Sequence, residues 1–145
     1  PGLPVAAGTA PVPAVASDAN PARSDPSAEP LPPARAKAAR ERFLATQDWL
    51  KSAPVHHYSI QLITAKDSEL AQLEGFLLRG FNLAPRENFH VYSVKIDGVQ
   101  CYRAAYGLYP DLAQTLTAMH QLPVPLLVYR PYYRTVERMR SQNRQ

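Results

Sequence analysis

The pair Asp97-Gly98 constrains the fold more than any other short segment of this chain. It separates two alternating runs, 89–96 (FHVYSVKI) and 99–106 (VQCYRAAY). Tight two-residue hairpin loops need positive φ angles, and Asp-Gly is one of the pairs that adopt them at little cost. The sequence therefore predicts an antiparallel hairpin in which side chains alternate between the two faces of a sheet.

A strand followed by a helix is predicted before this hairpin. Residues 58–63 (YSIQLI) alternate with a period of two, which is typical of a strand with one buried face. Apolar residues then recur at helical spacing, at Leu70, Leu73 and Leu77. Gly80 is expected to take the left-handed position after the end of this helix, because glycine adopts it without steric cost.

A second helix and a last strand are predicted after the hairpin. Pro110 is expected at the first position of this helix, where a proline loses no hydrogen bond. Its apolar stripe consists of Leu112, Thr115, Leu116 and Met119. Pro123 and Pro125 end the helix, and 126–130 (LLVYR) is predicted to be the last strand. A short basic helix is predicted over 132–141.

The resulting order, β-α-β-β-α-β, predicts an α+β fold of the ferredoxin-like or RNP type. Two helices then cover one face of a four-stranded antiparallel sheet, with an N-terminal helix and a short C-terminal helix in addition. The other face is expected to be uncovered. The alternation places these side chains on it: Ser59, Gln61, Ile63, Cys101, Arg103 and Ala105.

The first 34 residues differ from the rest in composition. They contain nine of the fifteen prolines and no aromatic residue. Such a segment buries too little apolar surface to offset the entropy of ordering it. We therefore predict a disordered Pro/Ala-rich linker over 1–34, a helical extension over 35–55 and a folded domain over 56–141. Because the sequence starts at Pro1 without a methionine, we expect a fragment or a processed product.

Charge, hydropathy and cysteine content narrow the classes of function. The net charge is +4, and five arginines lie within the last sixteen residues, which suits an anionic partner or a solvated helix face. No run of 18 apolar residues occurs, so no membrane-spanning helix is predicted. Cys101 alone cannot form an internal disulfide or a multi-cysteine metal site. We predict no metal, no cofactor and no catalytic residue.

Three short segments carry a resemblance to a known family. They are YSIQLIT in the first strand, Arg-Gly-Phe at the end of the first helix, and CYRAAYGLY in the third strand. In this order and spacing, over about residues 56–136, the chain resembles the SPOR domain. Two positions depart from the usual pattern: Cys101 stands where several members have Trp or Leu, and Leu108 stands where the family has Pro.

The resemblance implies a non-catalytic module that binds bacterial peptidoglycan, preferring glycan strands stripped of their stem peptides. Such a module targets its parent protein to the division septum or another envelope site. The resemblance also implies a periplasmic location, with a membrane tether upstream of Pro1. The expected glycan-binding residues are Gln61, Thr64, Cys101, Arg103 and Tyr132. We expect a monomer, with envelope proteins as a second class of partner.

Other functions stay open at this point. A protein-binding adaptor of an envelope secretion or pilus machine would use the same sheet face and the basic C-terminal segment. An RNA-binding domain of the RNP type shares the element order but places aromatic residues on its central strands. The outward positions predicted here carry none, so nucleic acid is not expected as a partner. An enzyme is disfavoured, because no nucleophile and base can be paired from the sequence.

Overall fold

The computed structural model describes residues 31–143, so most of the predicted linker over 1–34 lies outside the described residues. Its strands are β1 (Tyr58–Lys66), β2 (Phe89–Ile96), β3 (Val99–Tyr109) and β4 (Tyr132–Thr135). Its α-helices are α1 (Lys37–Ser52), α2 (Leu70–Phe81), α3 (Leu112–Gln121) and α4 (Val136–Asn143). The strands form one antiparallel sheet in the order β2-β3-β1-β4. This is the ferredoxin-like arrangement that the sequence predicts.

The main core lies between one face of the sheet and helices α2 and α3, and the first half of α1 adds Ala38, Ala39 and Phe43 to it. The apolar stripe of α2 is buried as predicted, with Leu73 and Leu77 fully enclosed against β1 residues Ile60 and Leu62. Helix α3 contributes less, because Thr115 is its one fully buried residue. The β2-β3 turn has φ angles of 52° at Asp97 and 79° at Gly98, as the hairpin prediction requires.

The second face of the sheet is partly covered, contrary to the expectation from sequence. Helices α1 and α4 pack there and form a separate apolar cluster: Leu50, Ala53, Tyr92, Ala105, Val136 and Met139. Trp49 of α1 stacks on His90 of β2, with ring centroids 3.7 Å apart. The last turn of α1 and the apolar side of α4 must be buried, and the second face of the sheet provides the surface. The prediction of an uncovered face is therefore wrong for the part nearer β2.

The outer edge of β2 is also covered, by side chains of α1 and α4. Arg42 Nε donates to the Phe89 carbonyl at 2.9 Å, and Thr46 Oγ1 accepts from the Val91 amide at 2.9 Å. Further along the strand, the Ser93 amide donates to the side-chain oxygen of Asn143 at 3.1 Å. Backbone groups on a bare edge can pair with another chain, so these three contacts close a site of strand addition.

A bulge in β1 changes which side chains reach the second face. Between Gln61 and Ile63, β1 has one residue more than its partner β3. Bulges of this kind re-aim the side chains that follow them. Ile63, predicted to point outward, is instead buried in the main core at 4% exposure. Thr64 lies opposite Arg103 and faces outward.

The last strand lies further along the chain than the sequence indicated. Residues Val124–Leu127 form a 3₁₀ turn, with a proline at its start and Leu126 in the core. Prolines lack the amide hydrogen needed for strand pairing, so this segment is unsuited to a strand despite its apolar residues. The residues that pair with β1 are Tyr132–Thr135, so the helix predicted over 132–141 is wrong for this part.

Two predictions of helix ends are also wrong. Gly80 lies inside α2, and its lack of a side chain makes room for an aromatic ring: a Cβ there would lie 2.9 Å from Phe89 Cζ. Helix α3 begins after Asp111 rather than at Pro110, because Asp111 Oδ1 accepts a hydrogen bond from the Gln114 amide at 2.8 Å. A carboxylate at this position satisfies an amide that has no partner within the helix.

Candidate functional site

The candidate site is the part of the second face that lies over β1, β3 and β4, beside α4. The strand register defines it, because Gln61 pairs with Tyr132 of β4 and Thr64 pairs with Arg103 of β3. The register thus brings together four of the five expected glycan-binding residues. Arg134, one pleat along β4 from Tyr132, joins them on this face.

Gln61 is half-buried between these neighbours and is held by Arg134. Arg134 Nε donates to Gln61 Oε1 at 2.9 Å. A guanidinium group only donates, so this bond fixes which end of the amide carries the oxygen. No hydrogen bond within residues 31–143 uses Gln61 Nε2. The amide NH₂ of Gln61 is therefore free to donate to a ligand.

Tyr132 provides an exposed aromatic plane beside Gln61. Its side chain is 51% exposed. The ring stacks on that of Tyr133 with centroids 4.6 Å apart, and the Arg134 guanidinium lies 5.9 Å from the Tyr132 centroid. A flat apolar surface with a polar tip is therefore held next to a free amide.

Arg103 links the site to α4. Its Nε donates to Thr64 Oγ1 at 3.1 Å, and its Nη1 donates to Gln142 Oε1 of α4 at 3.0 Å. These two bonds use two of the five N–H groups of the guanidinium. Arg103 is thus positioned by both the sheet and the helix while it keeps donors for a ligand.

Tyr92 of β2 lies directly opposite Arg103 in the register, on the same face. It is fully buried, and Arg103 is the hydrogen-bonding neighbour of its hydroxyl, although the contact falls short of good hydrogen-bond geometry. Burial raises the pKa of this hydroxyl, and the nearby positive charges of Arg103 and Arg134 oppose the change. Such a hydroxyl stays protonated and remains a hydrogen-bond donor.

Cys101 differs from the other expected site residues because it is buried, at 4% exposure. It lies opposite Lys66, nearer the hairpin turn than the Gln61 region. Together with Thr64 and Asp97 it lines a separate cleft of about 320 Å³. Burial raises the pKa of its thiol, so the group is a poor nucleophile at neutral pH.

Among residues 31–143, no acid forms an ion pair with the arginines of this site. Burial lowers the pKa of Arg134, and the neighbouring charges of Arg103 and Arg138 lower it further. The ion pairs found between residues 31 and 143 join Lys51 to Asp48 and Arg86 to Glu41, and neither pair includes an arginine of this face. An anion or an electron-rich oxygen would be attracted here.

Sequence reasoning missed two residues of this site. The sequence predicts a strand over 126–130 and a helix over 132–141, so it does not place Arg134 on the sheet. The β-forming run Tyr132-Tyr133-Arg134-Thr135 is the signal that could have placed it. Tyr92 could have been found by counting back from the turn, since a two-residue loop pairs it with Arg103.

The described part of the chain contains neither a metal-binding cluster nor a membrane-spanning helix. No cluster of three or more His, Cys, Asp or Glu side chains there could hold a metal ion. None of the described helices is long and apolar enough to span a membrane.

The class that the fold and this face define is a ferredoxin-like α+β domain with a basic, partly covered second sheet face. In comparisons with known proteins, no family model matches the chain and no curated protein matches it.

Proposed function

We propose that this chain is a non-catalytic module that binds the glycan strands of bacterial peptidoglycan in their peptide-stripped form. It would carry its parent protein to the division septum or to another site in the cell envelope. The proposal combines the resemblance to SPOR domains with the chemistry of the second sheet face.

The observation that carries the proposal is the placement of Gln61 beside Tyr132. A glycan offers hydroxyl and N-acetyl oxygens for hydrogen bonds, together with apolar ring faces. The free amide of Gln61 can donate to those oxygens, and the Tyr132 ring can stack on a sugar face. Both groups are mounted on paired strands, so little ordering is needed when a ligand binds.

Pelleting with purified sacculi tests the proposal. We expect the chain to co-sediment with sacculi treated with an amidase, which removes stem peptides, more than with untreated sacculi. Gln61→Ala should weaken binding by about fivefold or more, since a lost hydrogen bond costs about 1 kcal/mol. Gln72→Ala is the matched control, because Gln72 is exposed on α2 in the opposite layer.

Two results would contradict the proposal. Failure of the native chain to pellet with either preparation would exclude glycan binding. Release of soluble sugar or peptide by the pure protein would show an enzyme instead of a binding module. Thermal melts of each variant separate lost binding from lost folding.

A protein-binding adaptor is the second candidate, and one observation favours it. Before β4, three apolar residues are exposed: Val124 at 77%, Val128 at 63% and Tyr129 at 52%. Clustered exposed apolar residues often mark protein contacts. Binding of RNA could be distinguished from both, because its affinity would fall steeply as salt is added.

A further inference from the structure

The two outer strands of the sheet, β2 and β4, differ in how their free edges are covered. Along β2, side chains of Arg42, Thr46 and Asn143 bond to the backbone groups at the edge. Within residues 31–143, no side chain bonds to the backbone of β4, whose pairing partner is β1. The fold therefore closes one edge of its sheet to a further strand and leaves the other open to it.

The register shows which backbone groups of β4 point outward. The amide of Val136, just after the strand, donates to the His57 carbonyl at 2.9 Å and continues the pairing of β4 with β1. In an antiparallel ladder every second residue bonds to the neighbouring strand. The even-numbered residues of β4 therefore bond to β1. The N–H groups of Tyr133 and Thr135, and the carbonyl of Tyr133, point away from the sheet.

The open edge is short at both ends. Pro131 precedes the strand and has no N–H group to offer, and α4 begins directly after Thr135. A short edge bounded in this way is protected against indiscriminate pairing with other chains. It can still accept one extended segment, provided that side chains beside the edge recognise that segment.

The second face beside this edge is basic. Arg134 belongs to β4, and the exposed Arg138 belongs to α4, which packs on that face. The last sixteen residues hold five arginines and one acid, Glu137. A segment that pairs here would therefore be favoured by acidic residues on this side. A second copy of this chain would instead bring the same arginines, and like charges across paired strands destabilise the pairing.

The opposite face beside the edge is aromatic and apolar. Tyr133 lies across from the core residue Ile60, so its side chain belongs to the main-core side. On the same side, Tyr129 lies against Phe76 of α2, with ring centroids 6.1 Å apart, and is 52% exposed. An incoming strand would find an apolar contact there.

We propose that the outer edge of β4 binds an extended segment of a partner protein in which acidic residues alternate with apolar ones. Its backbone would pair with Tyr133 and Thr135 and extend the four-stranded sheet. Because successive side chains of a strand point to opposite faces, its acids would lie on the side of Arg134 and its apolar residues on the side of Tyr129. This surface is separate from the proposed glycan function and does not depend on it.

A short blocked peptide of alternating glutamate and valine tests this pairing. Backbone amide exchange of the full chain is measured by NMR with and without the peptide. We expect the peptide to slow exchange at Tyr133 and Thr135, whose amides are open. Exchange at Tyr132 and Arg134, which already pair with β1, should change little. This alternation along one strand is the signature of strand addition, since a bound anion alone would not produce it.

Modified peptides and a variant separate backbone pairing from charge. An analogue N-methylated throughout keeps every charge but cannot donate backbone hydrogen bonds, so it should bind about tenfold more weakly or worse. A peptide with lysine in place of glutamate should not bind. Arg138→Gln should weaken binding by about twofold to fivefold, as expected for an exposed ion pair. Arg79→Gln, the same charge change on exposed α2, is the matched control.

Three results would overturn the inference. Equal binding of the N-methylated analogue would show attraction by charge alone. Slowed exchange at Tyr133 and Thr135 that rises with protein concentration, without peptide, would identify a second copy as the occupant. Unchanged exchange at both amides in the presence of saturating peptide would show that the edge accepts no strand. Sacculus pelleting with the same preparation reports on glycan binding independently of these outcomes.

Discussion

Replacing Thr46 by valine tests whether helix α1 closes the edge of β2. The hydroxyl of Thr46 accepts from the Val91 amide at 2.9 Å and donates to the Arg42 carbonyl at 2.6 Å. Both Thr46 and Val91 are 0% exposed. Valine has nearly the same shape, so packing is kept while the Val91 amide loses its partner in a place that water does not reach.

The expected magnitude follows from that unpaired amide. A buried donor left without an acceptor costs about 1–3 kcal/mol. For a domain of this size each kcal/mol corresponds to about 4 °C in melting temperature, so Thr46→Val should melt about 4–12 °C earlier. Thermal and urea unfolding, both followed by circular dichroism, measure the change.

Thr117→Val is the matched control for Thr46→Val. Thr117 also lies in a helix and also donates to the carbonyl four residues earlier, but it is exposed and accepts from no amide. Its replacement should change stability by about 0.5 kcal/mol or less. Equal, small effects of the two substitutions would refute the helix-covered edge, because Val91 would then have to find water or another partner.

Two further predictions concern the core and pH. Gly80→Ala should destabilise the folded state by about 1–3 kcal/mol, since the new Cβ would lie 2.9 Å from Phe89 Cζ. Gly75→Ala in the same helix should instead stabilise the folded state by about 0.5–1 kcal/mol. Similar effects at both glycines would count against this packing. Burial lowers the pKa of His90 to about 3, below its unfolded value of 6.5. The unfolded chain therefore binds a proton first, and stability that is complete above about pH 6.5 should fall by on the order of 1–2 kcal/mol between pH 7 and pH 5. Urea titrations at the two pH values should show a smaller fall for His90→Gln, and an unchanged fall for exposed His120→Gln.

The fold could be predicted because its signals are local. Asp97-Gly98 sets a turn by backbone preference alone, and the leucine stripe of α2 reflects the helical repeat. The covering of the second face could not be predicted in the same way. It depends on where α1 and α4 pack, and their short apolar sides do not specify which surface they bury.

Bulges and prolines account for the remaining differences. The extra residue after Gln61 arises from the pairing of β1 with β3, and the alternation of residues in β1 does not predict it. The apolar run 126–130 resembles a strand in composition. Prolines at 123, 125 and 131 lie on either side of it and have no amide hydrogen to donate in strand pairing. Arg134 was missed as a direct consequence, whereas Gln61 was placed correctly because it precedes the bulge.

The contact between α1 and α4 affects the protein while it is being synthesised. Asn143 and Gln47 exchange hydrogen bonds through their side-chain amides, at 2.7 Å and 3.3 Å, across 96 residues of sequence. The main core can form from residues that have already left the ribosome. The packing of α4 on the second face must wait for the last turn of α4. Until then the β2 edge at Ser93 lacks its cover by Asn143 and remains open to neighbouring nascent chains. A chain that stops before Val136 would keep Ser93 uncovered, and we expect it to self-associate through strand pairing at that end of β2.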